Sequence, residues 1–420
     1  MSSFIDGMLE GLRKTGGDAG VVSTVSELRE NQFGIPLRHY AQQYLFGATG
    51  LRIQVFNSIA GMKESCKSSV LFDLMGDVCA AQEDGGQGGL AVLYELEGKI
   101  SPTLLHSILR QHGETAENSF IVRHGLTLEG AMKDLNGDVL PMYEKVCPKR
   151  DAPLIIGFDS IGGSGSEDTI KKLKKEGTSG KGYYDKAHFM KYFCENMGVL
   201  LHRSRIPVVI VCVNQEKEKA SSTPYGPPQK SITGGTSQLF KAGHMISASV
   251  RKLASGDGNI VTLRTSKTSY CDPRKIEVEF RWNKFGKSED DMYVIRFDWG
   301  LASARCLADP EKGVGEIRDI ADVKVSDQKL VTCPQLGCRS VTTDEFEKAL
   351  MSNEKVLKQL QIYQKIERLK DLTTYPEYVA SLSGKAKPKE ESKPKAKGKP
   401  PKKEEPAPVS ILEVAANANA

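Results

Sequence analysis

The sequence predicts an α/β protein: a mostly parallel, twisted sheet with helices on its faces, a small N-terminal helix–strand arm, a smaller C-terminal α+β unit and a disordered Lys/Pro-rich tail. Three observations predict it. Strand and helix signals alternate from about Ile35 to Gly300. The strand candidates at residues 53–56, 90–94, 153–158 and 207–213 are near-continuous apolar runs, the pattern of central parallel strands covered on both faces. Beyond Ser383 the composition collapses to Lys, Pro, Glu, Ala and Gly, which cannot bury enough apolar surface to fold.

Taken in order, the chain divides into an arm (1–34), a core (35–300), a C-terminal unit (301–380) and the tail (381–420). In the arm, Phe4, Ile5, Met8, Leu9 and Leu12 form one helical stripe that Gly16 and Gly17 end, and residues 21–25 read as a short strand. Such a unit is too small to fold alone, so it must dock on its own core or on a neighbouring subunit. Within the core, residues 185–203 are the clearest helix, and residues 277–282 and 292–297 read as later strands that suit antiparallel pairing. The C-terminal unit ends in a helical stretch, 343–370, led by a capping-box pattern from Thr342 to Glu345.

Composition excludes some classes. No run approaches the ~18 apolar residues of a membrane helix, and the start of the chain lacks a signal peptide's basic and apolar blocks, so the expectation is a cytoplasmic protein with no membrane partner. The nine cysteines are an odd number and read as reduced thiols; Cys333 and Cys338 are the one close pair, read as two loop thiols rather than a zinc knuckle. The net charge of +5 equals the surplus of nine Lys over four Glu between Gly384 and Pro406, so the rest of the chain carries no net charge. Any nucleic-acid contact must come from local basic clusters or from the tail.

The stretch Gly61-Met62-Lys63-Glu64-Ser65-Cys66-Lys67-Ser68-Ser69 lies between a strand candidate and an apolar helical run at 70–78. It fits G-x-x-x-x-G-K-[ST] at every fixed position except Cys66. That pattern puts a ring of backbone N–H groups around phosphates, Lys67 at the β/γ oxygens and the Ser68 hydroxyl on Mg²⁺. A helix N-terminus adds to the anion site. Cys66 can replace the glycine if its φ is negative. A chance strand–turn–helix is the competing reading of these residues alone.

Three more strand tips carry polar groups. Glu97 ends the strand at 90–94 and could polarise an attacking water; a solvated strand-end carboxylate is the plain alternative, and Glu95 competes for the role. Asp159 ends an apolar strand, where an unpaired carboxylate is costly and a shared Mg²⁺ would relieve it, a helix N-cap being the other reading. Asn214 and Gln215 cap the strand at 207–213, where an amide can sense a γ-phosphate. In an open α/β sheet such tips face one crevice.

Two Lys/Gly-rich segments suit contact with nucleic acid. The first carries Lys171, Lys172, Lys174, Lys175 and Lys181 ahead of Tyr183 and Tyr184; the second carries Lys217, Lys219 and Lys230 with Tyr225. The bland reading of each is a solvated surface.

The order of these elements resembles the RecA recombinase family, most closely the UvsX-type recombinases of phages. Tyr94-Glu95-Leu96-Glu97-Gly98-Lys99-Ile100-Ser101-Pro102 is similar to the family's YDSEFGITP, and Phe158-Asp159-Ser160-Ile161-Gly162-Gly163 to its IDSLGN. The resemblance covers roughly residues 20–300. It implies a RecA-like P-loop ATPase core in which Gly61, Lys63, Glu64, Ser65, Cys66, Lys67, Ser68 and Ser69 form the ATP site. Ser68 and Asp159 would hold Mg²⁺, Glu97 would be the catalytic carboxylate and Gln215 the γ-phosphate sensor. It further implies DNA-binding loops at 164–184 and 216–235, the second ending in Gly234 and Gly235, and a Lys267 that reaches the neighbouring subunit's nucleotide. The chain departs from the pattern at Cys66, at Leu104, where RecA has an adenine-stacking aromatic, and at Ser269, where RecA has a second lysine. The implied function is ATP-dependent pairing and strand exchange by a helical filament on single-stranded DNA, with duplex DNA, single-strand-binding proteins and mediators as partners. An ATP-gated DNA-binding scaffold without strand exchange is the alternative.

Overall fold

The computed structural model describes Met8 and residues 24–82, 86–162, 182–219, 229–232, 241–283, 294–308 and 316–382. The expected arm helix, most of the arm strand, most of the first DNA loop with Lys174, Lys175 and Lys181, the loop end at Gly234 and Gly235, and the tail lie outside these residues; residues 182–184, expected to end that loop, begin a helix instead.

Along the chain the elements are α1 (Val25–Glu30), β1 (Gly34–Pro36), α2 (Tyr40–Phe46), β2 (Gly50–Arg52), β3 (Phe56–Gly61), α3 (Lys67–Cys79), β4 (Leu90–Glu95), α4 (Pro102–Leu109), α5 (Glu114–Asn118), β5 (Phe120–His124), α6 (Leu128–Asp134) and α7 (Leu140–Val146). There follow β6 (Leu154–Asp159), α8 (Gly182–Ser204), β7 (Val208–Lys219), β8 (Gln229–Ile232), β9 (His244–Lys252), β10 (Gly258–Thr268), β11 (Lys275–Asn283), β12 (Val294–Asp298) and α9 (Trp299–Ala308). The C-terminal unit adds α10 (Glu316–Ile320), β13 (Lys324–Val325), β14 (Val331–Cys333), β15 (Cys338–Val341), α11 (Thr343–Ser352), α12 (Glu354–Tyr363) and α13 (Tyr375–Leu382).

The chain is a mixed α/β protein around a large sheet of order β12-β11-β10-β9-β3-β7-β6-β4-β5, with β8 paired to the extended end of β7. The strands from β9 to β5 run parallel. The expectation of a mostly parallel sheet needs amending on one side: β10, β11 and β12 extend it by antiparallel pairing. Short connections between these strands leave no room for a crossover helix, so each must turn back on its neighbour.

Alternate residues of each parallel strand supply two cores. Leu93, Ile155 and Val211 pack with Val70, Leu71, Leu74 and Met75 of α3 on one face. Val92, Tyr94, Ile156, Phe158 and Ile210 pack with α6, α7 and Phe193, Met197 and Leu201 of α8 on the other. A third core joins Tyr40 of α2 to α9 and to Phe346, Leu350 and Leu360 of the C-terminal unit.

Several expected elements shift. The strand expected at 53–56 is instead β3, and Gln54 with φ 59 turns the chain into it. β3 is buried throughout although it contains Asn57 and Ser58, so its polarity hid it from an apolar-run reading. Val25 opens a helix rather than closing a strand, because Thr24 and Glu27 form a capping box. The helical stretch expected over 343–370 is two helices: Asn353 Oδ1 accepts the Val356 N–H and starts α12. Past Tyr363 the chain turns through Lys365 at φ 51, and Glu367 and Lys370 bridge to Ala48 and Phe33. The capping box at Thr342 is formed as the sequence indicates.

Candidate functional site: a crevice at the parallel strand ends

The end of β3 and the start of α3 enclose a tight loop. A Cβ on Gly61 would lie 2.3 Å from the Ala248 carbonyl oxygen of β9, so only glycine fits there. Ser65 donates to the Met62 carbonyl at 2.8 Å. Lys67, the first residue of α3, folds its ammonium back to the same carbonyl at 2.5 Å and to Ser65 Oγ at 3.1 Å. Burial lowers its pKa, against the pull of Asp159, Glu97, Cys66 and Glu216. Met62, Lys63 and Glu64 are exposed, while Ser65 and Ser69 are buried. Glu64 and Cys66 take φ of 62 and 58. The condition of a negative φ at Cys66 is not met: this cysteine occupies the left-handed conformation that glycine favours, and Asn259 Nδ2 approaches its sulfur at 3.7 Å.

Asp159 ends β6 beside this loop, near enough to the Ser68 hydroxyl for that group to favour its ionised form. Burial, with Glu97 and Glu95 nearby, pushes its pKa up to about 6 despite that hydroxyl and Lys67. The Asp159–Ser160 peptide is cis. A half-buried carboxylate whose ionised form is disfavoured by desolvation and by two other carboxylates, with a hydroxyl near it, suits a divalent cation supplied with further oxygen ligands. Among the described residues no group of three or more His, Cys, Asp or Glu side chains could hold a metal by itself, so phosphate or water oxygens would have to complete the coordination.

The competition between Glu95 and Glu97 resolves in the geometry. Glu95 is buried, and its Oε1 accepts the backbone N–H of Glu97 at 3.1 Å and of Lys99 at 2.9 Å, so it shapes the turn after β4. Glu97 faces the crevice. Its Oε1 accepts from Ser160 Oγ and, at 3.0 Å, from Gln215 Nε2; its Oε2 accepts Lys99 Nζ at 3.0 Å. Burial raises the Glu97 pKa, but these bonds outweigh it and hold the carboxyl below its usual value. Gln215 itself is the direct register partner of Gly61 on β7.

The structure thus brings Lys67, Ser68, Glu97, Asp159 and Gln215 into one crevice, as the order of strand tips indicates. It does not bring Lys267 there. Lys267 pairs with Met245, three residues before the Ala248 that faces Gly61, about 10 Å towards the opposite end of the sheet. Its Nζ donates to the Ala242 carbonyl at 3.0 Å.

Beyond Gln215, β7 continues into an antiparallel ribbon with β8 that places Lys217 opposite Ser231 and carries the backbone of Lys219 and Lys230. Lys217 is exposed. The sequence reading missed Glu216, whose Oε1 accepts Ser247 Oγ at 3.3 Å and whose charge reaches Lys67. An acid among lysines gave no signal that it would face the crevice. Cys333 and Cys338 are register partners on β14 and β15, both buried, with no further ligand group among the described residues. No helix among the described residues is long and apolar enough to cross a membrane. No protein-family model matches the chain, and no curated protein matches it either.

Proposed function

We propose that the chain is an ATP-dependent DNA recombinase of the RecA type, a DNA-stimulated ATPase that forms filaments on single-stranded DNA and catalyses homologous pairing and strand exchange. One observation carries the reading: Lys67 and Ser68 on the loop, Asp159 beside them, and Glu97 bonded to Gln215 share a single crevice.

On this reading the N–H groups of the Gly61–Cys66 loop and the N-terminus of α3 receive the phosphates. Lys67 exchanges the Met62 carbonyl and Ser65 hydroxyl for β/γ-phosphate oxygens, a charge-assisted contact that outweighs the neutral ones it leaves. Ser68 and Asp159 would hold Mg²⁺, which supplies charge neutralisation on those oxygens. Glu97, kept ionised by its donors, orients and deprotonates the attacking water. Gln215 turns from Glu97 to the γ-phosphate. Because Gln215 and the basic ribbon belong to one continuous strand, that turn is felt where DNA would bind. Lys267 completes the site from a second subunit.

The test is strand exchange between circular single-stranded DNA and homologous linear duplex, with ATP hydrolysis followed in parallel. The wild type is expected to exchange strands and to hydrolyse ATP faster with single-stranded DNA, and Lys67→Ala to do neither. A Lys67→Ala variant equal to the wild type would refute the reading. DNA-dependent ATP binding without any exchange would point instead to an ATP-gated scaffold.

A further inference from the structure

Glu97 is engaged on both oxygens. Ser160 and Gln215 occupy Oε1, and Lys99 occupies Oε2 at 3.0 Å. The Lys99 contact is built rather than incidental. Glu95 Oε1 gathers the N–H groups of residues 97 and 99, and Gly98 at φ 68 supplies the left-handed step that folds the turn back. The two side chains are therefore brought together by a pre-formed backbone, so the ordering that remains is that of the side chains alone. Lys99 is 73 % exposed and Glu97 only 13 %, so the cation lies on the solvent side of the carboxylate, at the mouth of the crevice. The other charges around Glu97 are Lys67 and Asp159 inside the crevice and the buried Glu95 beneath the turn.

We propose that Lys99 is a positioning residue that holds Glu97 in an idle pose, so that turnover requires Oε2 to exchange the Lys99 ammonium for the attacking water. This inference rests on the ATPase reading above, and concerns how that site is restrained. Lys99 touches neither the loop from Gly61 to Cys66 nor Ser68, so removing it should change the chemical step and not nucleotide affinity. An exposed ion pair is weak, which suits a restraint that substrate can displace.

Two measurements test it. First, the full chain without nucleotide is treated with a water-soluble carbodiimide, which joins an amine to a carboxylate in contact with loss of one water. The peptide carrying Glu97 and Lys99 should lose the mass of one water, should do so less with a non-hydrolysable ATP analogue and single-stranded DNA, and should not do so in Lys99→Met or Glu97→Gln. Second, steady-state hydrolysis without DNA should show kcat about threefold higher in Lys99→Met, the effect of releasing one exposed ion pair, with KM for ATP unchanged, and Lys99→Arg should behave as wild type. An unchanged kcat, a KM that moves with kcat, or a Lys99→Arg variant that fails to restore wild-type rates overturns the proposal. Active wild type with no internal cross-link overturns it as well and leaves the ATPase reading standing. A cross-linked wild type that hydrolyses no ATP overturns the ATPase reading, and leaves Lys99 with no reaction to restrain.

Discussion

Cys66 offers a sharp test of the loop geometry, because the sign of a difference depends on its backbone. At φ 58 an L-residue is strained by roughly 1–2 kcal/mol, whereas glycine is not. Glycine loses about 0.5–1 kcal/mol to the greater freedom of the unfolded chain. Comparing Cys66→Gly with Cys66→Ala cancels the loss of the thiol and its contact with Asn259, leaving only these two opposed effects. Glycine should therefore be the more stable of the pair by about 0.5–1 kcal/mol. With a negative φ the order would invert by a similar amount. Urea unfolding of the nucleotide-free variants, read as the shift in midpoint at constant slope, decides it. Alanine equal to or above glycine would mean that the loop does not take the left-handed turn, and the placement of Lys67 would lose its support.

Other tests address the buried charges. His112 lies between Asp73 and Asp77 of α3, 3.2 Å from each, and Asp73 also accepts Trp299 Nε1 at 2.7 Å. Burial opposes its protonation, but the two carboxylates win and push its pKa up to about 10. Its contribution to stability is therefore fully present below its unfolded value near 6.5 and is lost as pH rises through about 10. His112→Ala should cost about 3–5 kcal/mol at neutral pH and flatten the wild type's decline between those values; an unaltered slope would discount the network. Asp159 also lowers stability as pH rises, but in a more acidic window: with its folded pKa raised to about 6, the loss begins near its ordinary value of 3.8 and is complete above about 6. Asp159→Asn should stabilise that form at pH 8 by roughly 2–3 kcal/mol while abolishing Mg²⁺-dependent hydrolysis, and a destabilised variant would contradict the reasoning. Glu97→Gln should keep ATP binding and lower hydrolysis by about 10²-fold or more, as loss of a general base requires; near-normal hydrolysis would move the role elsewhere.

The crevice was legible in the sequence because β4, β6 and β7 are apolar runs that stop abruptly at polar residues. Asp159 after Ile155-Ile156-Gly157-Phe158 and Gln215 after Val208–Val213 announce both the strand and the end that meets solvent. What failed to show has non-local causes. β3 is hidden because Asn57 and Ser58 are sheltered by β7 and β9, neighbours far along the chain. The antiparallel edge of β10 to β12 depends on hairpin pairing that no single segment declares. Glu95 and Glu97 look alike in sequence, and only the turn that Glu95 itself builds separates a structural carboxylate from one facing the crevice. The sign of φ at Cys66 belongs to the loop's closure against β9, not to the identity of the residue.

The central claim is that the crevice is a Mg²⁺-dependent nucleotide site organised around Lys67. Calorimetric titration of the full chain with a non-hydrolysable ATP analogue, in Mg²⁺ and in chelator, measures it directly. The account expects one saturable site in Mg²⁺, much weaker binding in chelator, and a loss of about tenfold or more in Lys67→Ala, the worth of a charge-assisted contact. Absent binding by the wild type, or equal affinity in Lys67→Ala, would contradict it.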